Sequence, residues 1–166
     1  MWKIGDNVIY GTSGVCRVEG KQKRLFGDAE KEYYLLTPLG ARQSSVIYVP
    51  TDNPALLSNI HALLSSEELL ALLPRVTPFS REEWGEDSRG HNKVCKSVLV
   101  SGDRLSLLRL VRTVFGNEGR RPTNGEESAA LRAAAMLYEE FSLALEITPE
   151  EVVPLILGKL APKTKK

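Results

Sequence analysis

Four short runs of alternating apolar and polar residues crowd into the first fifty positions, and this crowding constrains the fold more than any other feature of the chain. They are Asn7-Val8-Ile9-Tyr10, Val15-Cys16-Arg17-Val18-Glu19, Glu32-Tyr33-Tyr34-Leu35-Leu36 and Ser45-Val46-Ile47-Tyr48-Val49. Turn residues link them: Gly11-Thr12-Ser13-Gly14, Phe26-Gly27-Asp28 and Pro38-Leu39-Gly40. Strands this short bury little apolar surface in a flat sheet, so the sheet must curl on itself. The expectation is a small Tudor- or SH3-like β-barrel over residues 1–53.

Past Pro50 the period changes to that of a helix. Ser65-Ser66-Glu67-Glu68 has the form of a capping box and opens a Leu-rich helix that Pro74 stops. The pattern recurs at Ser80-Arg81-Glu82-Glu83, at Thr123-Asn124-Gly125-Glu126 and at Thr148-Pro149-Glu150-Glu151, where proline occupies the first helical position. An Ala-rich segment from about Gly125 to Glu146 predicts the longest helix. Leu105, Leu108, Val111 and Phe115 predict an apolar stripe on another. The fold class is therefore α+β in two domains, with an all-α bundle at 54–160 and a basic, solvated tail at 161–166.

Composition narrows the functional classes. Of 166 residues, 42% are hydrophobic and 26% charged, enough to build a core and too apolar for a disordered chain. Net charge is +1, so any surface for nucleic acid has to be a local patch. No apolar run approaches the roughly 18–20 residues of a membrane span, and the start lacks a secretory apolar core; the expected location is the cytoplasm. Cys16 and Cys95 are far apart and read as small buried hydrophobes. Gly11-Thr12-Ser13-Gly14 lacks the Gly-Lys-Ser/Thr ending of a phosphate loop and leads into a strand. His61 and His91 have no partner at metal-ligand or triad spacing, and His61, among leucines, reads as a partly buried helical residue. Glu82, Glu83, Glu86 and Asp87 read as acids at a helix start, with cation binding the rarer alternative. These residues give no catalytic constellation, and the expectation is a non-enzyme without cofactor or metal.

Charge is unevenly spread. Between Arg89 and Arg121 lie eight basic residues, Arg89, Lys93, Lys96, Arg104, Arg109, Arg112, Arg120 and Arg121, against Asp103 and Glu118 alone. Arg89, Lys93 and Lys96 share one helical face. Such clustering suits phosphate, and equally a solvated face of a bundle. Trp84 stands in the acidic stretch Glu82-Glu83-Trp84-Gly85-Glu86 without apolar residues at helical spacing. Two readings stay open for it: an exposed ring that wedges into a DNA minor groove, or a ring folded back onto the bundle.

The order of motifs resembles one family. Met1-Trp2-Lys3-Ile4-Gly5-Asp6-Asn7-Val8-Ile9-Tyr10, then Gly14-Val15, Val18-Glu19, Lys31 to Leu36 and Ile47 to Asn53, is similar to CarD-like bacterial transcription regulators. Ser101-Gly102-Asp103, followed by Leu108 to Phe115 and Thr123 to Glu126, resembles the helical half of the same family. The resemblance implies an N-terminal domain that binds the RNA polymerase β subunit. It also implies a helical domain that contacts promoter DNA at the upstream edge of the bubble, largely without sequence specificity, and stabilises the open complex. The protein would then be a monomer associated with the nucleoid. On the polymerase side the candidate residues are Arg24 and the edge strand Ser45, Val46, Ile47, Tyr48, Val49 and Pro50. On the DNA side they are Trp84, which matches the family's wedging tryptophan, with Arg89, Lys93, Lys96, Arg104, Arg109 and Arg112. Three departures from the family stand out. Tyr48 replaces a common arginine, about four extra residues separate Trp84 from Ser101, and Glu127 stands where lysine is frequent. The alternative function is an adaptor that binds polymerase through the barrel and another protein through the helices.

Overall fold

Strand β1 (Asn7–Tyr10) passes through a 3₁₀ turn into the long β2 (Val15–Phe26), which folds back onto β3 (Ala29–Pro38). The fold is that of a computed structural model, which describes residues 2–39, 45–117 and 119–160; the expected tail at 161–166 lies outside them. The β2–β3 hairpin closes through the two-residue turn Gly27-Asp28, with Phe26 paired to Ala29 and Gly27 at φ +63°. Glycine at the first central position with positive φ is what a tight hairpin turn of matching twist requires. Along β2 the register slips: Val18 faces Leu36 and Gly20 faces Leu35, leaving Glu19 as the extra residue of a bulge. A bulge bends the strand that carries it and increases its twist, so one long hairpin can serve a curled sheet.

Strand β4 (Ile47–Pro50) pairs antiparallel with β3, and the one-turn helix α1 (Pro54–Leu57) follows, capped by Asn53 accepting from the Leu56 N–H at 3.2 Å. The chain then returns as β5 (Ile60–Ala62), antiparallel to β1. The sheet order is β4-β3-β2-β1-β5. Among the described residues, hydrogen bonding therefore leaves β4 and β5 as edges, and the expected barrel is realised as an open five-stranded antiparallel sheet. Its core is Val8, Cys16, Val18, Tyr34, Leu36, Val49 and Ile60. Because β5 supplies Ile60 to that core, the first compact unit runs from Met1 to Leu63, about ten residues beyond the expected boundary at 53. His61 is corrected by the same fact: it lies on a strand, not a helix, and alternation turns it outward, exposed, beside buried Ile60.

The second unit, from Leu64 onward, is helical among its described residues. Helix α2 (Ser66–Leu72) starts at the Ser65/Glu68 capping box, and the short α3 (Arg81–Trp84) at the Ser80/Glu83 box. Helix α4 (Ser88–Ser101) is capped by Asp87 and ends at Gly102 in the left-handed conformation, φ +65°. Helix α5 (Arg104–Phe115) is capped by Asp103, and α6 (Asn124–Ala144) by Thr123. A 3₁₀ turn at Pro149–Glu151 leads into α7 (Val152–Ile156). Leu107, Leu108, Leu110, Val111 and Val114 of α5 are buried with Ala130, Ala133, Ala134, Leu137 and Phe141 of α6. The small alanines let the two helices approach closely. Of the predicted α5 stripe, Leu108 and Val111 are buried and Phe115 is half-buried, but Leu105 is exposed. Leu105 lies on the far side of the helix from the Leu107–Val111–Val114 seam.

Candidate functional site

Two surfaces collect the residues singled out by sequence. On the first unit, β4 has β3 on one side and no strand on the other among the described residues. Alternation buries Val49 completely and turns Tyr48 outward, 39% exposed; Val46, also exposed, immediately precedes the strand. Ser45 lies outside the strand, exposed, and Pro50 ends it. Arg24 reaches Tyr48 from two strands away. Its Nη2 donates to the Tyr48 hydroxyl at 2.8 Å, and its guanidinium carbon stands 4.3 Å from the Tyr48 ring centroid. Tyr33 meets the same ring edge-on at 6.1 Å. The Arg24 guanidinium, supplied by β2, thus places a cation over the Tyr48 ring. An open strand edge offers backbone donors and acceptors to a partner strand, and a preorganised Arg–Tyr pair beside it offers a cation and an aromatic face.

On the second unit, α4 is divided by its periodicity. His91, Cys95 and Val98 are buried, whereas Arg89, Lys93 and Lys96 are all exposed on the other face. Lys96 also lines a shallow groove of about 330 Å³ with Asn92, Gly125 and Arg132. Arg132 is a cation that sequence reasoning missed. It sits on Ala-rich α6, outside the basic stretch, and only packing of α6 against α4 brings it to Lys96.

The remaining candidate arginines turn toward the protein. Arg104 donates from Nε and Nη2 to the two oxygens of Glu140, each at 2.6 Å, and Glu140 also accepts the Leu64 N–H at 2.8 Å. Arg109 grips both oxygens of Glu83 at 2.8 and 3.0 Å, donates to the Thr77 and Pro78 carbonyls, and stacks on Phe79 at 4.6 Å. Arg112 donates from Nη2 to the carbonyls of Leu73 and Ile156. These three are engaged in building the bundle, so the basic stretch divides into a solvent-facing set on α4 and an inward-facing set on α5.

Trp84 is 8% exposed. Its ring stacks on His91, with centroids 4.5 Å apart at 16°, and on Phe79, 6.2 Å away at 3°. Of the two readings, the structure shows the folded-back one: tertiary packing supplies the apolar neighbours that helical spacing does not. His91 Nε2 donates to the Gly85 carbonyl at 2.8 Å, and Nδ1 faces Glu126 Oε2 at 3.4 Å. Burial pushes the Glu126 carboxyl up, but hydrogen bonds from Arg120, His91 and Thr123 outweigh it, and the net shift is downward. The Thr123 pattern therefore caps α6 with its hydroxyl, while the Glu126 carboxylate is given to Arg120 and His91.

Of the four acids around Trp84, Glu83 and Asp87 are engaged within the unit. Glu83 is held by Arg109 and by the Ser80 backbone and hydroxyl, which bring its carboxyl down to about 2, and Asp87 caps α4 through the Gly90 N–H at 2.9 Å. Among the described residues no three His, Cys, Asp or Glu side chains are grouped to hold a metal. Burial, with the charge of Glu126, raises the Cys95 thiol to about 11. At pH 8 the thiolate fraction is then on the order of 0.1%. A disulfide reagent is expected to modify Cys95 only after unfolding; rapid reaction of the native protein at this position would contradict its packing.

Residues 2–61 match the family model described as the CarD-like/TRCF RID domain, a little over a third of the chain. The match extends into β5 and so takes in all of the first unit's sheet except Ala62, the last residue of β5, and includes Arg24 and the β4 edge.

Proposed function

With its N-terminal unit a CarD-like RNA polymerase-interacting domain, we propose that this protein is a transcription regulator that holds the polymerase β subunit with the β4 edge. In the same reading the outer face of α4 lies against promoter DNA at the upstream edge of the bubble and stabilises the open complex. The observation that carries the polymerase half is the Arg24–Tyr48 pair beside an open strand edge, within the matched domain. Strand addition satisfies the backbone groups of that edge, and the cation and ring fix the register.

The DNA half rests on Arg89, Lys93 and Lys96, exposed in succession along α4, with Arg132 across the groove. Their spacing along one helical face suits contact with phosphates, which positions a protein on DNA without reading sequence. Neutralising three or four phosphates gives a log–log salt slope of about −3. The combined reversal Arg89→Glu, Lys93→Glu, Lys96→Glu is expected to shorten the open-complex lifetime at least tenfold and to flatten its salt dependence. Polymerase binding, measured separately with the full chain, is expected to stay within twofold of the parent. If lifetime and salt slope are both unchanged, the helices do not touch DNA, and the adaptor reading replaces this one.

A further inference from the structure

The middle of β3 is apolar on both faces. In Tyr33-Tyr34-Leu35-Leu36, Tyr34 and Leu36 enter the core of the first unit, so alternation sends Tyr33 and Leu35 to the outer face. An antiparallel sheet with one face in water normally carries polar residues there. We propose that this outer face is a second part of the polymerase contact: an apolar side chain of the β subunit lies across Leu35, between Ile4 and Tyr48. This rests on the reading of the first unit as the polymerase-binding half, and extends it from the β4 edge onto the sheet.

The register places the patch. Gly20 of β2 faces Leu35, and Leu35 faces Tyr48 of β4, so the three form one row across the strands. Neighbouring strands lie about 4.8 Å apart, which sets Gly20 and Tyr48 about 10 Å from each other. The row continues to Ile4. A Cβ built on Gly20 would lie 3.5 Å from Ile4 Cγ1 and Cδ1, an ordinary contact, so the isoleucine sits where β2 has no side chain of its own. Ile4 is 77% exposed, the most exposed large apolar residue among the described ones. Leu35 is half-buried. Trp2, Tyr10, Ile47, Leu56 and Leu57 pack on the core, which lies on the other face.

Both ends of the row are held in place. Residues Lys3 to Asp6 form a β-turn in which the Asp6 N–H donates to the Lys3 carbonyl at 3.0 Å, with Gly5 third at φ +91°, as a type II turn requires. The Asp6 carboxylate accepts the Lys3 N–H at 2.8 Å. The Gly5 N–H donates to the Val18 carbonyl and the Val18 N–H to the Asp6 carbonyl, each at 2.8 Å, so the turn is stitched to β2 and Ile4 stands on it. At the other end Arg24 and Tyr33 hold the Tyr48 ring. Apolar groups ordered before association lose little entropy when a partner covers them. The partner follows from continuity: Tyr48 belongs to both the row and the β4 edge, and the row lies within the matched domain. A polymerase segment paired along that edge reaches the outer face directly, and the uncharged surface from Ile4 to Tyr48 fits an apolar side chain.

The test uses the full chain and RNA polymerase. Ile4→Asp places a charge where the complex excludes water and is expected to weaken binding about tenfold. Ile4→Val keeps the apolar contact and is expected to bind within twofold of the parent. Both variants should melt with the parent, because the side chain is largely in water. A bimane attached through Ile4→Cys reads the covering of this position directly. Cys16 and Cys95 are buried, so the label goes to the new thiol. Its emission is expected to move to the blue when polymerase is added. Unmoved emission, or Ile4→Asp binding as tightly as the parent, would overturn the proposal. Arg24→Glu keeps the two failures apart. If Arg24→Glu weakens binding and Ile4→Asp does not, the contact ends at the β4 edge and only this extension falls. If neither variant weakens binding, the docking reading falls with it. A blue shift that grows with protein concentration in the absence of polymerase assigns the face to a second copy of the chain, and also overturns the proposal.

Discussion

Arg24→Glu is expected to weaken binding of the full chain to RNA polymerase by about thirtyfold, on the order of 2 kcal/mol, as for an arginine at the centre of a protein interface. The same change should leave the thermal midpoint nearly unmoved, because Arg24 is exposed and its partner, the Tyr48 hydroxyl, is also within reach of water. Tyr48→Phe separates the parts of the pair. It keeps the ring under the guanidinium and deletes only the hydroxyl that accepts from Nη2, so a loss of severalfold is expected. Substituting Val46 by proline tests the neighbouring backbone, since proline removes the N–H that an added strand would use just before β4. Affinities can be read by anisotropy of a labelled chain titrated with polymerase. If Arg24→Glu binds as tightly as the parent, the β4 edge is not the docking surface and the interface lies elsewhere on the matched domain.

Glu140→Ala is the substitution expected to cost the second unit most. Glu140 is 3% exposed and receives three hydrogen bonds, two from Arg104 and one from the Leu64 backbone. Its removal leaves a guanidinium and an N–H without their acceptor in a partly buried place. Breaking one side of such a pair typically costs about 3–5 kcal/mol, which for a unit of this size lowers the midpoint by on the order of 10–20 °C. Calorimetry of the full chain measures it. Arg104→Met, which keeps the aliphatic stem over the bundle, is expected to be milder than Arg104→Ala. A double variant with Glu140→Leu would recover part of the loss if burial dominates over the ion pair. A stable Glu140→Ala protein with impaired DNA contact would instead return Arg104 to the DNA-facing set.

The two-domain α+β organisation was legible in the sequence because both signals are local. Period-two alternation marks β1, β2 and β3, and capping residues mark the starts of α2, α3 and α6. Strand β5 was not legible: three residues after a short helix carry no periodicity, and Ile60–Ala62 becomes a strand only because β1 offers an open edge. That one omission moved the boundary and misplaced His61. The full length of β2 was hidden for a related reason. Its outer half, Lys21 to Phe26, is polar and exposed at most positions, and it is held extended by pairing with β3 rather than by any apolar pattern of its own.

The candidate site divides along the same line. Arg89, Lys93 and Lys96 could be placed on one face from spacing alone, because helical rotation is fixed by the backbone. Arg104, Arg109 and Arg112 looked like members of the same basic patch, yet their long side chains reach Glu140, Glu83 and backbone carbonyls that lie from 26 to 44 residues away in sequence. Charge composition counts such residues and cannot show which way they point.

By itself, then, the sequence determined a crowded set of strands that had to curl, a helical half behind it and a run of cations on one helix. Alternation, capping and helical rotation act within a few residues, so they can be read from the chain. Only the tertiary structure decided that β4 and β5 are the outer strands of the described sheet, that Arg24 meets Tyr48 across the strand between them, and that Trp84 is stacked inside. Each of those depends on which distant segment packs alongside, and there burial and hydrogen bonding override the local pattern.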